Sequence, residues 1–141
     1  MADDNLKKHE IINMLKEQNK FANRQDSELF LRITPKEGYK CFYKTQNGKM
    51  ASYLVTKDLI AKATKSFWDS LDQDSYKFKI LLKSTTQEKS LLKCLCIQTE
   101  LYSIKQQKYK NTNKLQIWFK KIDNSIFIIK EEVVSSIKEK I

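Results

Sequence analysis

Apolar and polar positions alternate through most of this chain, and stretches of helical spacing interrupt the alternation. Residues 1–26 read as an N-terminal helical segment. Its helix is predicted over 4–22, where Ile11, Ile12, Met14 and Leu15 share a face and Asp3 or Asp4 can cap the positive end. From Glu28 to Thr34, Leu29, Leu31 and Ile33 alternate with Phe30, Arg32 and Thr34, which predicts a strand closed by Pro35 and Gly38. Tyr39–Thr45 and Lys49–Val55 flank Gln46-Asn47-Gly48, a hairpin signal because Asn-Gly supplies the positive φ of a tight turn.

Thr56 then offers an N-cap, and Ile60, Ala63, Phe67 and Leu71 recur at helical spacing. Tyr76, Phe78, Ile80 and Leu82 alternate with Lys77, Lys79 and Lys83 as a half-buried strand. After a polar loop at 84–90, residues 91–104 predict another strand, followed by a basic loop from Lys105 to Asn113. Leu115, Ile117 and Phe119 alternate with Gln116, Trp118 and Lys120, and Asp123-Asn124 turns the chain into a strand over 125–130. A C-terminal helix is predicted over 131–141, with Val133, Val134, Ile137 and Ile141 on one face and acids leading lysines along the dipole.

The resulting order is α-βββ-α-ββββ-α in one α+β domain spanning 1–141. A curved, mostly antiparallel sheet or a partly open barrel, packed with helices, satisfies it. With 40% hydrophobic residues the chain has enough apolar material for a core. No apolar run approaches the roughly 20 residues of a bilayer span. Three cysteines, Cys41, Cys94 and Cys96, fit reduced thiols in an intracellular setting, cytoplasm or nucleus.

Charge changes the picture because of where it falls. The net charge is +10, yet residues 76–124 carry eleven basic and three acidic side chains, whereas 1–26 and 125–141 are each balanced. Compositional bias would spread lysine evenly, so the clustering points to a polyanionic partner. If the aliphatic positions face the core, alternation sends Phe30, Arg32, Lys40, Phe42, Lys44, Lys77, Lys79, Leu81, Lys83, Gln116, Trp118 and Lys120 outward. Rings between lysines on a sheet can stack on bases while ammonium groups meet phosphates. Lys105, Lys108, Tyr109 and Lys110 would clamp the strand from the adjoining loop. Single-stranded DNA or RNA is therefore the expected partner, with the chain as a possible accessory subunit of a larger assembly. With 25 Lys to two Arg, sequence-specific base reading is not expected.

Catalytic signals are sparse. One histidine, His9, and two glycines leave no phosphate loop, dinucleotide fingerprint or nucleophile elbow, so no enzyme, cofactor or metal is expected. Asp69, Asp72 and Asp74 lack calcium-loop spacing. The run Leu115–Lys121 resembles part of a homeodomain recognition helix, but Lys121 stands where that family reads a base with Asn. The alternative reading is an adaptor or inhibitor with a basic surface, whose seven strands and closing helix resemble pleckstrin-homology-like sandwiches.

Overall fold

The computed structural model describes residues 5–141, so the expected caps at Asp3 and Asp4 lie outside the described residues. Helices α1 (Lys8–Asn23) and α2 (Glu28–Arg32) precede a hairpin of β1 (Tyr39–Lys44) and β2 (Met50–Val55). Helix α3 (Lys57–Asp69) leads to four long strands, β3 (Lys77–Glu88), β4 (Leu91–Ile104), β5 (Gln107–Ile122) and β6 (Ser125–Lys140). They form one curved, open, mostly antiparallel sheet of order β2-β1-β6-β5-β4-β3, in which only β1 and β6 run parallel. This is the α+β single-domain class that the alternation predicts, with six strands in place of seven.

Four predicted elements differ from the structure. The predicted strand at 28–34 is α2: Leu29 and Ile33, four apart, are both buried, Asp26 Oδ1 accepts the Glu28 N–H at 2.9 Å, and Arg32 reaches back to Glu28 at 2.8 Å. In so short a run, spacings of two and four coincide, and the local cap decides. The predicted C-terminal helix at 131–141 is the second half of β6, paired with β5 out to Tyr109 and Lys140. β-Branched Val133, Val134 and Ile137 suit a strand, and an adjacent unpaired strand supplies the hydrogen bonds. That strand is the predicted basic loop, since β5 begins at Gln107 and the turn is only Lys105-Gln106, both at positive φ. Likewise β3 extends through the predicted loop at 84–90 as far as Glu88.

The hairpin and the third helix form as predicted. Gly48 takes the left-handed conformation (φ +77°) and donates to Thr45 O at 2.9 Å, while Thr56 Oγ1 accepts the Leu59 N–H at 3.1 Å. Register shifts beside Leu82/Ser84 in β3, and two more between β5 and β6, insert extra residues that bend the sheet around its helices.

Helix α1 closes one edge of that sheet through its side chains. Asn23 accepts the Phe78 N–H (2.8 Å) and donates to Phe78 O (2.9 Å), and Asn19 does the same for Ile80 (2.8 and 3.3 Å). Two amides one helical turn apart thus imitate a neighbouring strand for the outward groups of β3. Between helix and sheet, Ile11, Met14, Leu15 and Ala22 meet Phe78, Ile80, Leu92, Cys94, Cys96 and Phe119 in one core. Asn23→Ala is expected to cost about 1–3 kcal/mol in urea unfolding, the loss of two hydrogen bonds; an unchanged midpoint would mean that water serves the edge equally well. Gly38 sits at φ +80°, where a Cβ would stand 2.4 Å from Val55 O. Gly38→Ala should cost at least about 1–2 kcal/mol in the same assay.

Candidate functional site

Strands β4 and β5 change character along their length on the side that faces the helices. From one end, paired residues on this inner face are Leu92 and Phe119, Cys94 and Ile117, Cys96 and Leu115. The next pairs are Gln98 and Asn113, Glu100 and Asn111, then Tyr102 and Tyr109. Helices α1 and α2 cover the aliphatic half. Beside the polar half stands α3, which buries none of its side chains fully and touches the sheet through aromatic edges: Phe67 against Tyr76 and Tyr102, and Trp68 against Tyr76.

Polar side chains converge on this second half. Glu100 Oε2 accepts the Tyr76 hydroxyl at 2.5 Å, and Asn111 also hydrogen-bonds this carboxylate. Asn111 Oδ1 in turn accepts Tyr102 OH at 3.2 Å, and Ser136 on β6 donates to Asn113 Oδ1 at 2.6 Å. The Tyr102 ring stacks on Tyr109, and the Lys138 ammonium lies over the far ring. Burial pushes the Glu100 carboxyl above the ordinary glutamate range, against the opposing hydrogen bonds from Tyr76 and Asn111.

A second inner-face carboxyl, Glu131, pairs across β1 with Cys41 and across β5 with Ile117. Burial raises it too, opposed by the Cys41 thiol that donates to it. Cys41 is itself pushed up to about 11, and Cys96 to about 12, by burial first and then by the Glu131 charge. Neither Glu100 nor Glu131 takes part in an ion pair among the described residues. A depression of about 260 Å³ adjoins the cluster at Tyr102 and Tyr109 and is lined also by Ser75, Lys77 and Lys108; another, of about 430 Å³, lies elsewhere, against Met14, Leu29, Arg32 and Phe127.

The sequence-predicted residues are distributed differently. Lys40, Phe42, Lys44, Lys77, Lys79, Lys108, Lys110, Trp118 and Lys120 do share the outer face, as alternation requires. Tyr109 faces inward, Lys105 lies in the β4–β5 turn, and Lys83 sits at the β3 bulge. Phe30, expected on the outer face, belongs to α2 and packs edge-on against Phe78 inside. The rings are not free for stacking. Trp118 is only 7% exposed, its Nε1 donates to Glu88 at 2.9 Å, and the Lys93 and Lys130 ammonium groups stand over its ring. Lys130 also covers Phe42 at 5.0 Å. Glu88, Glu132 and Glu139 lie among the lysines on the same face, so its charge is mixed. The acidic turn is committed as well: Asp72 accepts from Ser103 Oγ (2.6 Å), Lys105 N (3.1 Å) and Gln106 N (2.8 Å), fixing the hairpin turn.

No protein-family model matches the chain, and no curated protein matches it in sequence. Solved structures do share its fold. It resembles a candidate scytalone dehydratase from Novosphingobium aromaticivorans at 7% identity, TM-score 0.65, over 93% of this chain and 85% of that one. A hexachlorocyclohexane dehydrochlorinase (LinA) Type2 aligns at 7% identity and TM-score 0.63, covering 93% and 86%. An NTF2-like protein from Cytophaga hutchinsonii aligns at 11% and 0.60, covering 92% and 99%. The fold is NTF2-like.

These neighbours overturn the expectation of a single-stranded DNA or RNA partner, as does the covering of Trp118 and Phe42. They overturn the expectation of no enzyme too, because the same fold carries proteins named for a dehydratase and a dehydrochlorinase. Missing phosphate loops and nucleophile elbows carry no weight on a scaffold of this kind. Among the described residues, no helix is long and apolar enough to cross a membrane.

A carboxyl raised on folding leaves a pH signature. Between an ordinary glutamate value of about 4.3 and the higher folded value, the folded chain binds more protons than the unfolded chain, so stability falls as pH rises. Glu131→Gln removes that loss. Its stability relative to the parent should climb from pH 4 upward and level off above the folded value, in urea melts at several pH values; a flat difference would show that Glu131 is not raised.

Proposed function

We propose that the polar half of the inner face binds a small, uncharged organic molecule, with Glu100 as its hydrogen-bonding and proton-accepting group. The observation that supports this is a half-buried carboxyl with no counter-ion among the described residues, held by Tyr76 and Asn111 among Gln98, Asn113 and aromatic rings. An anionic ligand would meet the Glu100 carboxyl as a like charge. A neutral ligand with hydroxyl or carbonyl groups and an apolar body suits the amides and the rings together. A raised carboxyl is a stronger base than an ordinary glutamate, which suits it to take the proton that an elimination removes. The two enzyme names among the fold neighbours fit such chemistry by analogy of scaffold. Unpaired, buried cysteines fit a reducing compartment, cytoplasm or nucleus.

The test uses Trp68, which contacts Tyr76 beside the site, in a Trp118→Phe background that removes the outer-face indole. A library of neutral aromatic and hydroxylated fragments should include compounds that quench Trp68 saturably. Glu100→Gln should weaken those compounds by about tenfold, the scale of a hydrogen bond to a charged group. If every compound that quenches binds Glu100→Gln and Glu131→Gln as tightly as the parent, the site is elsewhere.

A further inference from the structure

The two edges of the sheet are finished differently. On β3, Asn19 and Asn23 occupy the outward N–H and C=O groups of Phe78 and Ile80. On β2, the last strand at the other side, no described residue plays that part. Thr45 N–H bonds Lys49 O at 2.8 Å, and from that pair the antiparallel alternation sends the main-chain groups of Ala51 and Tyr53 to β1. Those of Met50, Ser52 and Leu54 therefore point away from the sheet. The strand Met50–Val55 has no lysine, proline or bulge within it, the devices that normally keep an edge unpaired. Met50, Tyr53 and Leu54 are each about half exposed (51%, 49% and 52%).

We propose that β2 is a docking edge for an extended, acidic segment of a partner protein, which adds a seventh strand to the sheet. Main-chain hydrogen bonds supply the affinity and the alternating side chains supply the choice of partner. Outer-side positions of the added strand run beside Met50 and Leu54, whose cross-strand partners on β1 are Lys44 and Lys40. Lys49 and Lys57 flank the strand at its two ends, all four lysines are exposed, and Asp58 nearby is already paired with Lys62. Acidic residues fit that side. Inner-side positions run beside Ala51 and the exposed Tyr53 ring, where apolar residues fit. A second copy fits poorly, because it would add its own lysines to this rim in a chain of net charge +10.

The probe is a labelled peptide of alternating valine and glutamate, titrated by fluorescence anisotropy at low and high salt against the whole chain. A valine and lysine peptide is the control. Saturable binding of the glutamate peptide alone, weakened by salt, is the expected result. Ser52→Pro removes an outward N–H without touching the β1 ladder and should weaken binding at least about tenfold. Met50→Glu with Leu54→Glu, both solvent-facing changes, should do the same by repulsion and covers the case in which the proline variant fails to fold. The proposal is overturned if the glutamate peptide does not bind, if the lysine peptide binds equally, or if a folded variant keeps full affinity. Sedimentation that shows a dimer abolished by the same variants would give the edge to a second copy and overturn it too. Inner-face fragment binding is unaffected by Ser52→Pro, so the two readings fail separately.

Discussion

A sheet with strands of up to sixteen residues has more inner face than two short helices can cover, and the layout of the molecule follows from that mismatch. Helix α1 is held to β3 by Asn19 and Asn23 at Ile80 and Phe78, the residues that pair with Gln98 and Glu100, so its last turns run beside the start of the polar half. Along the inner face the paired positions of β4 and β5 are first aliphatic, phenylalanine or cysteine and then become amide, carboxyl and tyrosine. The change falls at the same step on both strands, between Cys96 and Gln98 and between Leu115 and Asn113. Side-chain chemistry thus marks where the apolar core gives way to a hydrogen-bonded polar cluster.

That boundary explains why the carboxyls are unusual. Glu100 stands just past the core, where the low dielectric of packed aromatics disfavours charge and two hydrogen bonds oppose the shift. Glu131 lies nearer the hairpin, against thiols that burial keeps protonated. On the outer face the same protein treats charge in the opposite manner. Lys93 and Lys130 rest on Trp118 and Phe42, and glutamates sit between the lysines.

Much of the fold was legible in local patterns: Asn47-Gly48 for the hairpin, Thr56 for the third helix, and alternation for the direction of Lys40, Phe42 and Trp118. What stayed hidden depends on partners far away in sequence. Residues 131–140 have the spacing of an amphipathic helix and become a strand because β5 lies beside them. Alternation gave the direction of Trp118 but could not show that lysines from two neighbouring strands would cover it. The polar half of the inner face did leave a signal. Gln98 and Glu100 continue the inward series of Leu92, Cys94 and Cys96, and an inward carboxyl in a core series marks a site more sharply than outward lysines do.

The parallel pairing of β1 with β6 has a further consequence. Strands β3 to β6 form a meander in which every partner is the next strand along, so they can assemble by closing short turns in sequence. Lys40 and its partner Lys130 stand ninety positions apart. The hairpin is made early in synthesis and has nothing to join until β6 has emerged and found β5. Closing that long loop is an entropic toll that the local pairings do not meet, and it makes docking of the hairpin the late, slow event of folding. During that wait the hairpin has two open edges rather than one.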